Sequence, residues 1–318
     1  MKVVIWGSRG SLPASVHAEN IRYKIYRAIE AARGHDLRSK EHIENFIDTE
    51  LPFSVRGGYG TNTSCVEIRD GEDYIILDSG SGIRDFGNYV MKTGKIPATY
   101  HIFMSHVHWD HICGFPFFVP AYIKGNRLNF YGFHDVHAVE QAFANQQEPP
   151  CFPVPLQYMQ AERHFTQLKL GKTYDIAGFR VSGIEQNHPQ LSYGYSFEKA
   201  GKKIIYSTDS EHKEDSSKED YHFVKFFKNA DMLIFDTQYS LMDAIYVKED
   251  WGHSSNIIAV ELSVRAGVKH LCMFHSEHTH SDANIDKMLK ETKRYASIYD
   301  KSYPLRISHA YDGLEIEI

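Results

Sequence analysis

Within SHVHWDHICG, residues 105 to 114, three histidines and one aspartate fall in six consecutive positions: His106, His108, Asp110 and His111. An imidazole or carboxylate buried without a partner is costly, so such a cluster is either a solvated polar loop or a metal site. Zinc and related ions take imidazole nitrogen and carboxylate oxygen from short loops with one or two residues between donors. The alternation of His106 and His108 lets both rings face one side of an extended loop, and Asp110 and His111 then fall in the first turn of whatever follows. Four adjacent donors are too many for one catalytic ion that must keep an open position, and two ions sharing the cluster is the better account. Each ion then needs ligands from distant positions, and the chain offers His188 in QNHPQ, Asp209 and His275.

Five short apolar runs each end in an acid or a histidine: DYIILD at Asp78, YHIFMSH at His106, KIIYSTD at Asp209, DMLIFD at Asp236 and HLCMFH at His275. Their length and their β-branched and aromatic content predict buried strands. If the strands end on one edge of a sandwich, the closing residues converge there, as sites in layered α/β folds do. Residues 254 to 266 predict a helix, with Ser254 or Ser255 as N-cap and Gly267 as its stop. Residues 17 to 50 predict a helical hairpin. Ile21, Ile25, Ala28 and Ile29 form one apolar stripe, Gly34 breaks it, Ser39 caps the next helix, and Ile43, Phe46 and Ile47 continue the pattern. EPPCFPVPL, residues 148 to 156, predicts a turn or extended loop.

The 318 residues are 42% hydrophobic, enough for a sizeable core, and no composition break divides them, so residues 1 to 318 read as one domain. The formal net charge of −6 argues against a long nucleic-acid track but not against a small phosphate substrate, because a metal supplies positive charge locally. The N-terminal stretch MKVVIWGSRGSLP lacks the pattern of a secretory signal, and no apolar run approaches membrane-spanning length. Cys65, Cys113, Cys151 and Cys272 are far apart and without CxxC spacing, which suits free thiols in a cytoplasmic enzyme with no membrane partner.

HVHWDH resembles the H-x-H-x-D-H motif of the metallo-β-lactamase superfamily, and LDSGSG at 77 to 82, His188, Asp209 and His275 follow that family's motif order along nearly the whole chain. The resemblance implies an α/β fold, an αββα sandwich with the site at one edge. It implies that His106, His108 and His188 hold one divalent ion, that Asp110, His111 and His275 hold a second, and that Asp209 bridges both. Asp78 would brace the metal loop. Zinc, manganese and iron all suit such mixed donors, zinc being the first choice. WGSRGSLP with TNTSCVEI, and DMLIFDTQYS followed by WGHSS, resemble the ribonuclease Z-like phosphodiesterase branch, including small cyclic-phosphodiester hydrolases. There Asp236 would orient His253 and keep it protonated, so that Asp110, Asp236 and His253 form the catalytic set. Residues 14 to 57 depart from the branch as a longer N-terminal insert.

The expected activity is therefore dinuclear metal-dependent hydrolysis of a small, cyclic-nucleotide or cyclic-ribose-phosphate type phosphodiester. A tRNA 3′-processing endonuclease like ribonuclease Z is the alternative; that enzyme uses a Gly- and Pro-rich basic arm, which this chain lacks. A thioester or lactam hydrolase fits the same scaffold but not the Asp236 and His253 pair. A flavin-coupled diiron branch carries Glu where this chain has His108. A relative without catalysis would show missing ligands, and none is missing here. The helical hairpin suits packing or a homodimer contact, and His212, His278 and His280 suit exposed positions or places behind the ligands.

Overall fold

Residues 271 to 274 show how the layers arise. Leu271 and Met273 face one apolar cluster and Cys272 and Phe274 another, the period-two alternation of a strand buried on both sides. The computed structural model describes residues 1–93, 96–240 and 250–318. In chain order its strands are β1 (Lys2–Gly7), β2 (Arg9–Gly10), β3 (Cys65–Arg69), β4 (Tyr74–Leu77), β5 (Thr99–Phe103), β6 (Arg127–Gly132), β7 (Glu162–Gln167) and β8 (Tyr174–Ile176). They continue as β9 (Phe179–Gln186), β10 (Ser192–Lys199), β11 (Lys202–Ser207), β12 (Met232–Asp236), β13 (His270–Phe274), β14 (Ser276–Glu277), β15 (Arg306–His309) and β16 (Glu315–Glu317).

The strands form two seven-stranded sheets, β16-β1-β3-β4-β5-β6-β7 and β15-β13-β12-β11-β10-β9-β8, and a small pair, β14 with β2. Each sheet is antiparallel in one half and parallel in the other. The inner core holds Val3, Val66, Leu77, Phe103, Phe197, Ile204, Ile234 and Phe274 between the sheets. The helices Gly82–Thr93 and Val136–Asn145 cover the first sheet, and Asn256–Ala266 and Asp282–Tyr299 cover the second. This is the αββα sandwich expected from the sequence. Every one of the five acid- or histidine-ended runs is a strand of a parallel segment, β4, β5, β11, β12 or β13. Their C-terminal ends therefore reach the same edge.

The predicted helix before Gly267 is present as Asn256–Ala266, with Ser255 accepting from the Ile258 amide and Gly267 in the left-handed conformation at φ 71°. The hairpin is also present, as α1 (Ala18–Ala31) and α2 (Lys40–Thr49), the latter capped by Ser39. Its apolar stripe is not packed within the chain. No residue of α1 is buried, and Ile25 and Ile29 are 54% and 65% exposed. The insert is held by polar contacts instead: Lys24 pairs with Asp282, Asp282 also accepts from the Tyr59 amide at 2.9 Å, and Asp286 accepts from the Ser54 amide at 3.1 Å. Those contacts turn the polar side of α1 toward the helix Asp282–Tyr299 and leave the isoleucine stripe in solvent. A cavity of about 1320 Å³ lies along this seam, and none of the clustered donors lines it.

Candidate metal centre

Asp78, Asp209 and His275 sit one or two residues beyond the ends of β4, β11 and β13, with left-handed φ of 59°, 48° and 61°. That conformation is sparsely populated by residues with a side chain, although Asp and His adopt it more readily than most. Strained positions of this kind concentrate where a side chain must be aimed at a site. Here each turns the chain sharply as it leaves a buried strand.

The donors form two groups. In the first, His106 Nε2 lies 2.9 Å from His108 Nδ1, His188 Nε2 lies 3.1 Å from the same atom, and Asp209 Oδ2 stands 3.6 and 3.9 Å from His106 and His188. In the second, Asp110 Oδ2 is 3.3 Å from His111 Nε2 and 3.2 Å from His275 Nε2. Asp209 Oδ1 completes it, at 3.4 and 3.3 Å from those histidines. Donors about 2.0–2.1 Å from a tetrahedral ion stand about 3.3–3.4 Å from one another, so both groups fit a divalent ion. The two oxygens of Asp209 point one to each group. His111 Nε2 is buried and has no hydrogen-bond partner, an orphan that a cation would satisfy. Each group draws two donors from the loop after β5 in the first sheet and two from strand ends of the second sheet.

The outer nitrogens of the rings fix which atom faces inward. His111 donates through Nδ1 to Asp78 Oδ2 at 2.8 Å, His188 through Nδ1 to the Gly252 carbonyl at 2.9 Å, and His275 through Nδ1 to Gln238 Oε1 at 2.9 Å. His106 Nδ1 is 3.0 Å from Ser105 Oγ, whose hydroxyl donates in turn to Asp78 at 2.7 Å. Asp78 is fully buried and accepts further from the Ser105 amide at 2.7 Å and Tyr206 Oη at 2.8 Å. The Ser11 amide donates to Asp110 Oδ2 at 2.9 Å. Burial works against ionisation of Asp209, but His275 and His111 hold its carboxyl well below the usual range. Burial pushes His106 and His188 down, favouring their neutral, ligating form.

His253 lies beside these groups. A ring nitrogen is within 4.8 Å of donor atoms of Asp209 and His275, and Nδ1 donates to Asp236 Oδ2 at 2.8 Å. Burial opposes its charge, but the carboxylates around it, Asp236 first and then Asp209 and Asp110, together outweigh burial and raise His253 to about 9. Asp236 is itself held by the Gln238 amide at 2.9 Å.

The structure thus brings together His106, His108, Asp110, His111, His188, Asp209 and His275, with Asp78, Asp236 and His253 around them. His212, expected at an exposed position or behind the ligands, is buried, packs against Phe223 and Phe235, and its Nδ1 is 2.6 Å from Tyr221 Oη. The aromatic residues of the helix-covered face draw it inward. His278 and His280 are partly exposed, as expected. Gln238, Ser105, Tyr206 and Gly252 were not legible as site residues. Only Gln238, two positions past Asp236 on a strand end, carried any signal.

The fold and the donor arrangement define a metal-dependent hydrolase of the β-lactamase type. The family described as "Beta-lactamase superfamily domain" matches residues 74–276, and the chain belongs to it. A ribonuclease Z of Picrophilus torridus is 24% identical over 278 residues, covering 72% of this chain and 82% of the relative. The metallo-beta-lactamase fold protein YhfI of Bacillus subtilis superposes with a TM-score of 0.65 at 17% identity, covering 100% of this chain and 98% of that one. A diphosphatase of the PhnP family superposes with a TM-score of 0.60 at 18% identity, covering 100% and 97%. A ribonuclease among these relatives leaves the expectation against a nucleic-acid partner without support. Among the described residues no helix is long and apolar enough to cross a membrane.

Proposed function

We propose that this chain is a dinuclear metal-dependent phosphodiesterase that hydrolyses a small phosphodiester of the cyclic-nucleotide or cyclic-ribose-phosphate class. The observation that carries the reading is Asp209, whose Oδ2 lies toward His106 and His188 of one donor group while Oδ1 lies toward His111 and His275 of the other. In this reading those groups hold two ions, zinc by preference, with Asp209 as the bridge and Asp78 bracing the loop. Such a pair, when bound, supplies Lewis acidity toward a phosphoryl oxygen and lowers the pKa of water. The chain's own groups do the rest. Asp110, fixed by the Ser11 amide, orients the attacking oxygen opposite the leaving group. His253, with Nδ1 committed to Asp236, keeps Nε2 for a proton that it delivers to the leaving alkoxide.

A ribonuclease Z-like tRNA 3′-processing activity is the second reading, favoured by the Picrophilus torridus relative. The net charge of −6 weighs toward the small diester, since RNA binding gains from a basic surface. The test is turnover by metal-reconstituted protein on bis-p-nitrophenyl phosphate, cyclic nucleotides, cyclic ribose phosphates and a pre-tRNA. Small diesters should be hydrolysed and the pre-tRNA cut poorly. Efficient, accurate 3′-end cleavage would reverse the two readings, and no diester turnover with both ions bound would end both.

A further inference from the structure

His275 is held on two sides. Gly10 of β2 lies so close to its ring that an added Cβ would come within 2.5 Å of Nδ1 and Cε1. At the outer edge Nδ1 donates to Gln238 Oε1 at 2.9 Å, and Nε2 is left facing Asp110 Oδ2 at 3.2 Å and Asp209 Oδ1 at 3.3 Å. The partners of His111 and His188, the Asp78 carboxylate and the Gly252 carbonyl, can only accept. A glutamine amide carries both an acceptor and a donor, so it must be oriented by something behind it. Turned over, its NH2 would meet Nδ1 and drive the proton to Nε2, the nitrogen an ion needs free. Gln238 Nε2 donates to Tyr239 Oη at 3.2 Å, Ser11 Oγ at 3.5 Å and Glu277 Oε2 at 3.2 Å. Hydroxyls serve either way, whereas a carboxylate only accepts, so Glu277 is the partner that commits the NH2. Glu277 is itself buried and fixed, with Oε1 2.8 Å from His278 Nδ1 and its carbonyl accepting from Arg9 Nη1 at 3.3 Å.

We propose that Glu277 and Gln238 are positioning residues of the second donor group: Glu277 sets the direction of the Gln238 amide, and the amide keeps the proton of His275 on Nδ1 and Nε2 open to the ion. The inference rests on the dinuclear reading and adds an acid outside the ligand set to it. The first group shows the same construction. Ser105 Oγ, also able to donate or accept, stands 3.0 Å from His106 Nδ1 and is committed by donating to Asp78 at 2.7 Å. Each group thus has one histidine whose two-way partner is turned by a buried carboxylate.

The test measures zinc binding to the full chain by stepwise chelator competition, which reads the two ions separately. Gln238→Met keeps the side chain's length but gives His275 no acceptor, and it should weaken one ion about 10- to 100-fold while the other changes far less. Glu277→Gln, which lets the amide turn over, should weaken the same ion. Adding Gln238→Glu to Glu277→Gln should restore it, because the new carboxylate can only accept from His275 and the new amide behind it supplies the NH2. Substitutions that merely loosened the packing would instead multiply their losses, to within about twofold. In parallel, imidazole 15N spectra of the metal-stripped protein should show a proton on His275 Nδ1, exchanging slowly in the wild type and rapidly in Gln238→Met. Equal weakening of both ions in Gln238→Met, no recovery in the double variant, or a bare Nδ1 in the stripped wild type would overturn the positioning role and leave the dinuclear reading standing. If the wild type holds one ion at most, that reading falls, and the Nδ1 proton decides the positioning role by itself.

Discussion

Asp78→Asn should weaken both the fold and its metal binding, by amounts that follow from four hydrogen bonds. Oδ1 accepts from the Ser105 amide, and Oδ2 accepts from Ser105 Oγ, His111 Nδ1 and Tyr206 Oη. All of these neighbours offer protons, and the side chain is completely buried. An asparagine retains one carbonyl oxygen. Turned toward the three-donor side, it sets its own NH2 against the Ser105 N–H; turned the other way, it sets NH2 against three donors. The first choice costs one unsatisfied buried donor, about 1–3 kcal/mol, and removes the charge that strengthens the other three bonds. A total loss of about 2–4 kcal/mol in unfolding free energy is expected, measured by denaturant titration with chelator present so that metal does not contribute. His111 also loses the carboxylate that raises its basicity, and metal affinity in a chelator competition should fall about 10- to 100-fold. Stability within about 0.5 kcal/mol of wild type, the range of an indifferent surface change, together with unchanged affinity would refute the bracing role.

Asp209→Ala should leave the protein with less bound metal than His188→Ala or His275→Ala, because both donor groups lose an oxygen; elemental analysis after dialysis decides, and retention of two ions per chain would contradict the bridge. His253→Ala should keep the metal but lose about 10²- to 10⁴-fold in rate on a diester with an alkyl leaving group, and far less on a p-nitrophenyl ester that needs no proton. Equal losses on both would remove the general-acid role. Burial pushes His270 and His309 down to about 4, so each is neutral in the fold while the unfolded chain protonates near the ordinary histidine value of 6.5. Their contribution is complete above about pH 6.5 and is lost as pH falls toward 4, about 3 kcal/mol each at order of magnitude. Denaturant titrations at pH 7 and 4.5 should therefore differ less in His309→Gln than in wild type, and an identical acid loss in both would count against this account.

The donor-bearing strand ends were legible because a strand buried on both faces admits only apolar residues, so the first acid or histidine after it marks the exit. That pattern located Asp78, Asp209, Asp236 and His275 separately, and the parallel order of β4, β5, β11, β12 and β13 explains why they converge. The supporting partners were not legible. Tyr206 lies within a strand that reads as plain core, and Ser105 and Gly252 act through a hydroxyl and a carbonyl that any chain supplies. Periodicity placed α1 correctly but not its packing, because a stripe of isoleucines says nothing of the competing anchor. Lys24 on Asp282 decided which face turned inward. The burial of His212 was not legible for a related reason: a single polar residue carries no sign that Phe223 and Phe235 flank it.

The sharing of each donor group between the layers has a mechanical consequence. His106, His108, Asp110 and His111 leave the first sheet, and His188, Asp209 and His275 leave the second, so an ion held as proposed in either group would be a rivet through the seam of the sandwich. The sheets cannot part without releasing it. Ligand that binds only the closed form adds stability by mass action, about 4 kcal/mol when free metal stands a thousandfold above its dissociation constant. Opening then waits on metal loss, and the loaded protein should survive protease far longer than the stripped one. During synthesis the first group would be complete once Asp209 has emerged, and the second only after His275 has left the ribosome.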